Sequence, residues 1–277
     1  MKYALYNPLS GNGNSKTVAE KFVGGSTDIK LIDMTKNDVG ELLASAGEKD
    51  QFFLFGGDGT LNRFINKMSD SFSSEVYYFP SGTGNDFSVD VGKDKAAEPF
   101  SINEYIKDLP TVTVGGEDHK FINGVGFGID GYCCEVGDAL KEKGKIPNYT
   151  GIAIKGLLFK FKPVNAKVTV DGKTSEYKKV WIAPTMFGRH YGGGMIPTPA
   201  QDRNADQKEV SVMIFHGSSK LKTLMIFPSI FKGEHVKKTK FVTVMKGKDI
   251  TVEFDRPTSL QIDGETILGV TRYTVKA

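Results

Sequence analysis

The sequence predicts two domains in series, a doubly wound parallel-sheet α/β domain followed by a mainly antiparallel β domain. Two patterns lead to that expectation. Over the first hundred residues short apolar runs alternate with helical periodicities, the signature of a parallel sheet layered with helices. After about Pro110, strand-like runs bounded by Gly, Pro and Asp follow one another with few helices between them, as in an antiparallel β domain. The composition shift at Gly115-Gly116 divides the chain into residues 1–114 and 115–267, with residues from about 268 to 277 assigned to complete the first domain. A chain of 277 residues with 39% hydrophobic and 25% charged side chains is long enough for two such cores.

Taken in order, residues 2–6, 29–34, 51–55 and 76–79 are the strands of the first domain. Residues 15–23 form a helix that stops at Gly24-Gly25, and residues 37–47 begin with a capping residue. Leu61, Phe64, Ile65 and Met68 recur at the spacing of one buried helical face. In the second domain the strands are 111–114, 121–125, 166–170, 179–183, 210–215, 240–245, 249–254 and 259–263. Apolar runs are broken by Lys, Gly or Pro well before roughly 18 residues, so no transmembrane helix is expected. The N-terminal residues lack the apolar stretch of a signal peptide. Cys133 and Cys134 are adjacent and offer no disulfide framework, which favours a reducing, cytoplasmic setting.

The strongest chemical signal is the run from Phe52 to Asn62. An apolar strand enters Gly56-Gly57-Asp58-Gly59-Thr60 and then an amphipathic helix. A Gly-rich turn at the carboxyl end of a parallel strand and at a helix N-terminus offers backbone N–H groups to phosphate, and glycine lets the backbone come close. A carboxylate there would repel phosphate, which makes sense if Asp58 holds Mg²⁺ or accepts a proton; the alternative is a helix cap. Two more Gly-bearing loops, Asn7-Pro8-Leu9-Ser10-Gly11 and Ser81-Gly82-Thr83-Gly84-Asn85-Asp86, follow other strands at the same sheet edge. Three such loops point to a nucleotide site, with Asn7, Ser10, Thr60 and Thr83 as its side-chain donors.

These motifs together resemble the diacylglycerol kinase catalytic domain family of bacterial lipid kinases, related to sphingosine and ceramide kinases. The similarity continues through Asn123-Gly124-x-Gly126-x-Gly128-x-Asp130, Tyr191-Gly192-Gly193-Gly194-Met195 and Leu260-Gln261-Ile262-Asp263-Gly264-Glu265, so it spans nearly the whole chain. The resemblance implies ATP- and Mg²⁺-dependent phosphorylation of a lipid hydroxyl in a cleft between an α/β domain and a β-sandwich-like domain. It assigns Asn7, Pro8, Leu9, Ser10, Gly11, Gly56, Gly57, Asp58, Gly59, Thr60, Leu61, Asn62 and Thr83 to ATP binding, with Thr35 as a looser candidate. It makes Asp58 the organiser of the catalytic magnesium, and Glu265, paired with Asp263, the proton acceptor. Without the resemblance, Asp263-Gly264 reads as a hairpin turn. Loss of Asp58 or Glu265 is expected to lower turnover far more than stability. Many family members also hold a structural Mg²⁺ at Asp-Gly-x-Leu, where this chain has Asp206-Gln207-Lys208-Glu209-Val210. Asp206 is a candidate ligand there, joined by backbone oxygens of Arg203 and Lys208; the alternative is a solvated charged loop.

Gly126-Phe127-Gly128-Ile129-Asp130-Gly131 matches G-x-G-x-x-G, but no strand follows to make a dinucleotide fold. A Walker A loop is absent because Ser15 stands where glycine is required before Lys16. The four histidines lack zinc spacing and read mostly as surface or loop residues. Residues 1–138 carry 12 basic and 21 acidic side chains, and residues 139–277 carry 24 and 12. The basic surplus gathers with large apolar residues at 155–162 and 220–240, a mixture suited to an anionic membrane surface; the alternative is a helix with a buried apolar face and a solvated Lys face. No nucleic-acid-binding motif accompanies the charge. The expected partners are therefore a lipid substrate and a peripheral anionic membrane at the cytoplasmic side, with a homodimer also admitted. An NAD kinase-like enzyme and a non-catalytic nucleotide- or lipid-binding regulator are the competing readings.

Overall fold

A computed structural model describes residues 1–277, the side chain of Asn12 excepted. The chain separates into residues 1–109 and 110–277, slightly ahead of the boundary expected at 114. In the first unit β1 (Lys2–Tyr6), α1 (Asn14–Val23), β2 (Ile29–Asp33), α2 (Val39–Ala44), β3 (Gln51–Gly56), α3 (Asp58–Ile65), β4 (Glu75–Pro80) and α4 (Asp86–Asp90) alternate strand with helix. A short β5 (Phe100–Ser101) and α5 (Asn103–Ile106) finish it. The sheet order is β2-β1-β3-β4-β5, and only β5 runs antiparallel. Phe52, Leu54 and Phe55 of β3 are all buried, which explains the near-continuous apolar run of a central parallel strand. From β1 the chain moves outward to β2 and returns on the other side of β1 as β3, so the topological switch point lies between β1 and β3. Ligands of open α/β sheets bind beyond the carboxyl ends of the strands at such a point.

The second unit contains β6 (Thr111–Val114), β7 (Glu117–Lys120), β8 (Gly124–Phe127), α6 (Ile129–Lys141), α7 (Tyr149–Lys155), β9 (Val164–Val170), β10 (Lys173–Val180), β11 (Thr185–Met186), β12 (Val210–Phe215), α8 (Lys220–Ile226), β13 (Val242–Gly247), β14 (Asp249–Ile262) and β15 (Glu265–Lys276). The pairing path is β13-β12-β11-β8-β14-β15-β6-β7, with β9 on β14 and β10 on β9. These ladders are antiparallel and form the sandwich-like domain. The expected strands 249–254 and 259–263 are one strand, β14. Its ladder with β15 is irregular between Glu253 and Leu260, where Pro257 lacks an N–H to donate. Ahead of that irregularity β14 pairs with β9, and beyond it with β8.

One expectation is corrected here. Residues 268–277 do not complete the first domain: they lie in β15, which pairs with β14 and β6 and buries Val270, Tyr273 and Val275 in the second core. The G-x-G-x-x-G run does lead from strand β8 into helix α6, but β8 is antiparallel to both neighbours, so no parallel βαβ unit exists there. The core of this unit is aromatic. Phe127 stacks on Phe254 at 3.7 Å between ring centroids, and Tyr273 meets Phe127 edge-on at 5.5 Å.

Candidate active-site loops and their supports

The loops after β1, β3 and β4 are locked to one another at the carboxyl edge of the first sheet. Ser10 Oγ accepts the backbone N–H of Gly57 at 2.9 Å, and Asn7 Nδ2 donates to Thr60 Oγ1 at 3.4 Å. The Ser15 and Ser81 hydroxyls are hydrogen-bonded at 2.8 Å, tying the start of α1 to the loop after β4. Backbone approaches are equally close. A Cβ on Gly82 would lie 2.5 Å from Gly57 Cα, and one on Gly11 would lie 1.9 Å from Ser81 O, where φ of 58° already disfavours a side chain. Glycine is therefore required here first for loop against loop, which leaves Gly57, Gly59, Gly82 and exposed Thr83 with backbone near the surface.

Asp58, the first residue of α3, accepts the N–H of Asp86 on Oδ2 and that of Phe87 on Oδ1, each at 2.9 Å. These are the first N–H groups of α4, whose N-cap residue Asn85 supplies no side-chain cap. The helix-cap alternative is thus realised in an unforeseen form, with Asp58 capping α4 from α3. Asn85 is instead held in a left-handed conformation at φ 54° by reciprocal bonds with the Gly82 backbone, both at 2.9 Å.

The residues expected to bind ATP differ in burial and in their partners. Leu61 is fully buried on α3, and Thr60 and Asn62 are nearly so, so all three pack within the unit at the start of the helix. Thr35 is exposed just after β2. Its N–H and hydroxyl both donate to Asp33 Oδ1, at 2.9 and 2.6 Å, so the hydroxyl proton is taken by a carboxylate. Those bonds hold the Asp33 carboxyl below its ordinary range. Asn7, Pro8, Leu9, Ser10 and Gly11 stay at the strand end, with Leu9 79% exposed.

In the second unit Asp263 and Gly264, at φ 46° and 96°, form the two-residue turn between β14 and β15. That conformation suits a type I′ hairpin. The Asp263 carboxylate receives three backbone N–H groups, from Ile122 at 2.6 Å and from Asn123 and Gly124 at 2.9 Å. Asp263 therefore holds the hairpin against the segment Ile122–Gly124. Asp263 sits in the hairpin turn read from the residues alone, and Glu265 opens β15, half exposed.

A buried polar chain, missed in the sequence, braces this hairpin. Tyr191 Oη donates to Asp130 Oδ2 at 3.0 Å, Gln261 also bonds Asp130, and Gln261 Oε1 accepts the N–H of Gly264 at 2.7 Å. Arg203, nearly fully buried, adds bonds to Ile122 O at 3.0 Å and Asn123 Oδ1 at 3.3 Å. Burial pushes the Asp130 carboxyl up to about 6, against the lowering effect of Tyr191. The folded chain then binds this proton more tightly than the unfolded one. Its contribution to stability is full below about pH 4 and is lost as pH rises through about 6. The stability of Asp130→Asn relative to wild type should accordingly rise by roughly 2 kcal/mol between about pH 4 and pH 7. Urea unfolding at the two pH values reads this, and a constant difference would contradict it.

Asp206 does not fit the structural magnesium site that the sequence suggested. It is exposed, and Lys208 Nζ donates to the Arg203 carbonyl at 3.1 Å, placing a fixed positive charge on an oxygen the ion would need. Lys208 and Arg203 both lie over the Phe187 ring, at 5.8 and 5.6 Å. No group of three His, Cys, Asp or Glu residues suited to a metal occurs among the described residues. EDTA should therefore leave the melting temperature unchanged, whereas Lys208→Ala should lower it by a few degrees in calorimetry. A large loss of stability on chelation would overturn this account of the loop.

Among the remaining candidates, His235 is fully buried with Nε2 bonded to Pro197 O at 2.8 Å, against the expectation of a surface residue, and burial lowers its pKa. Burial also pushes both thiols up, Cys134 to about 12, which makes them inert small hydrophobes.

Comparison with known proteins agrees with this architecture. The profile of the diacylglycerol kinase catalytic domain matches residues 2–113, and that of the YegS C-terminal NAD kinase beta sandwich-like domain matches residues 123–276. The diacylglycerol kinase of Mycobacterium tuberculosis (strain CDC 1551 / Oshkosh) is 26% identical over 267 residues, spanning 90% of this chain and 84% of that protein. A solved diacylglycerol kinase from Bacillus anthracis str. Sterne superposes with a TM-score of 0.61 at 17% identity, covering 99% of this chain and 92% of that one, a likeness of fold.

Proposed function

We propose, from the premise that this chain belongs to the diacylglycerol kinase family of lipid kinases and is a phosphotransferase with an alcohol group as acceptor, that it uses ATP and magnesium to phosphorylate the hydroxyl of diacylglycerol or a related lipid. The observation that carries this reading is the set of three interlocked loops at the switch point, with Gly57 against Gly82 and Ser10 bonded to Gly57. Backbone of this kind, held rigid by its neighbours, presents N–H donors to phosphate without reorganisation.

In this mechanism the loop from Asn7 to Gly11 and the Gly57-to-Gly59 turn hold the triphosphate, with Thr83 beside them. Asp58 is half exposed where Asp86 is buried, so it is the carboxylate suited to a cation at these loops. Magnesium, when bound, offsets the charge of the transferring phosphoryl group. A single carboxylate fits such an ion, which takes most of its other ligands from water and phosphate. Asp58 thereby couples the ion site to the placement of α4. Glu265 accepts the proton of the lipid hydroxyl, on a hairpin that Asp263, Gln261 and Asp130 hold in place.

Incubation with γ-labelled ATP and Mg²⁺ against diacylglycerol, sphingosine, phosphatidylglycerol and NAD separates the readings. Label in a phospholipid or phosphosphingolipid is the expected result. Label in NADP alone would replace the reading with that of an NAD kinase, and no labelled product with any acceptor would make the chain a non-catalytic regulator.

A further inference from the structure

We propose that the second unit carries a membrane-docking face formed by α7 with the π-helical turn Gly156–Lys160 and by α8 with its continuation Phe227–Lys232, and that its occupant is an anionic phospholipid bilayer. The structure makes the two segments neighbours. Lys220 Nζ, at the start of α8, donates to Leu158 O of the π-helical turn at 2.9 Å. Each segment divides its apolar residues between two sides. Leu157, Phe161, Ile226 and Ile230 are buried in one core cluster with Trp181, which anchors both segments. Phe159 and Met225 are 74% exposed and Leu221 is 62% exposed, so they add nothing to that core. Leu221 and Met225 stand four residues apart and share the outward side of α8. A helix with one buried apolar face and one solvated Lys face, the alternative reading, would not direct its large apolar side chains both ways.

Charge selects the occupant. Residues 149–162 and 219–233 contain six lysines and no aspartate or glutamate. The unit as a whole carries 25 basic and 17 acidic side chains, against 11 and 16 in the first unit. Apolar side chains ringed by lysine suit a surface that offers acyl chains and anionic headgroups together, and a purely apolar protein partner would leave the lysines uncompensated. A cavity of about 210 Å³ opens beside the same turn, lined in part by Lys160, Lys162 and Arg256. Its lining includes one carboxylate, Glu135, which accepts the Ser259 hydroxyl. Three cations around a cavity of that size suit a phosphate headgroup at the bilayer surface.

The biological sense of this face rests on the lipid-kinase reading, but its test needs neither nucleotide nor turnover. The intact protein should co-sediment with vesicles of one-third phosphatidylglycerol in phosphatidylcholine, should bind pure phosphatidylcholine weakly, and should be released as salt rises. The triple variant Phe159→Ser, Leu221→Ser, Met225→Ser should lose at least about tenfold in vesicle partitioning while keeping its melting temperature and its activity on short-chain, water-soluble diacylglycerol. Absence of wild-type binding to the anionic vesicles would overturn the proposal, as would unchanged binding by the variant. Dimerisation in lipid-free buffer that the same substitutions abolish, without vesicle binding, would assign the face to a second copy of the chain instead. Inactivity on the soluble lipid would count against the kinase reading and leave the vesicle result standing.

Discussion

Glu265→Gln is expected to lower kcat by roughly 10²–10⁴-fold, the range for removal of a general base, while stability changes by no more than about 0.5 kcal/mol. The second half of that expectation comes from its place in the fold. Glu265 is half exposed, and the hairpin that carries it is held by the left-handed turn at Asp263-Gly264, the three N–H groups on Asp263 and the bond from Gly264 to Gln261. Gln preserves the shape and removes the basic oxygen, and the bonds that hold the hairpin backbone stay in place. Asp263 provides the contrast, because its carboxylate is buried among N–H donors and its loss would act on the hairpin itself. Steady-state kinetics and urea unfolding of Glu265→Gln, measured together, decide the matter. Wild-type turnover in a folded variant would remove Glu265 from the proton-transfer role.

Asp58→Asn should fail in two ways at once. Its two oxygens each accept a backbone N–H of α4, and an amide can accept only through its single oxygen while its nitrogen meets a second donor. Loss of one charge-assisted bond at a half-buried cap destabilises by about 1–3 kcal/mol. Turnover should fall by roughly 10²–10³-fold beyond what the folded fraction explains, because the carboxylate proposed to hold magnesium is lost as well. Here the structure corrects the expectation that catalysis suffers and stability does not: Asp58 has a structural duty that the motif did not reveal. The two duties separate in the magnesium dependence of kcat at a temperature where the variant is fully folded. An unchanged apparent magnesium affinity would leave Asp58 only its capping role.

The first unit was legible because its signals are local. Each strand ends in a Gly-bearing loop and each helix starts within a few residues of it, so β1, β3 and β4 and their loops stand where the pattern put them. What the pattern could not distinguish was a residue that touches a ligand from one that holds the loop. Thr60 and Asn62 belong to the same motif as Gly57, yet burial separates them. The second unit was harder, since its ladders join residues far apart in sequence. β10 is mostly exposed and β15 has only the short apolar run Ile267-Leu268-Gly269-Val270, much of it exposed, before Thr, Arg and Lys intervene, and the pairing of β15 with β6 spans the whole unit. Asp130, Tyr191 and Gln261 lie in three separate motifs and show no role in sequence, because only folding brings them together. The charge asymmetry marked the basic segments, but only their burial pattern divides Phe159, Leu221 and Met225 from the residues that hold the core.

Phosphorus NMR of the intact protein with MgATP and diacylglycerol in mixed micelles tests the central claim most directly. The account predicts a growing phosphomonoester resonance in the lipid phase, matched by ADP formation and absent when the lipid hydroxyl is acylated. Consumption of ATP to free phosphate with the lipid unchanged, or no consumption at all, would contradict it.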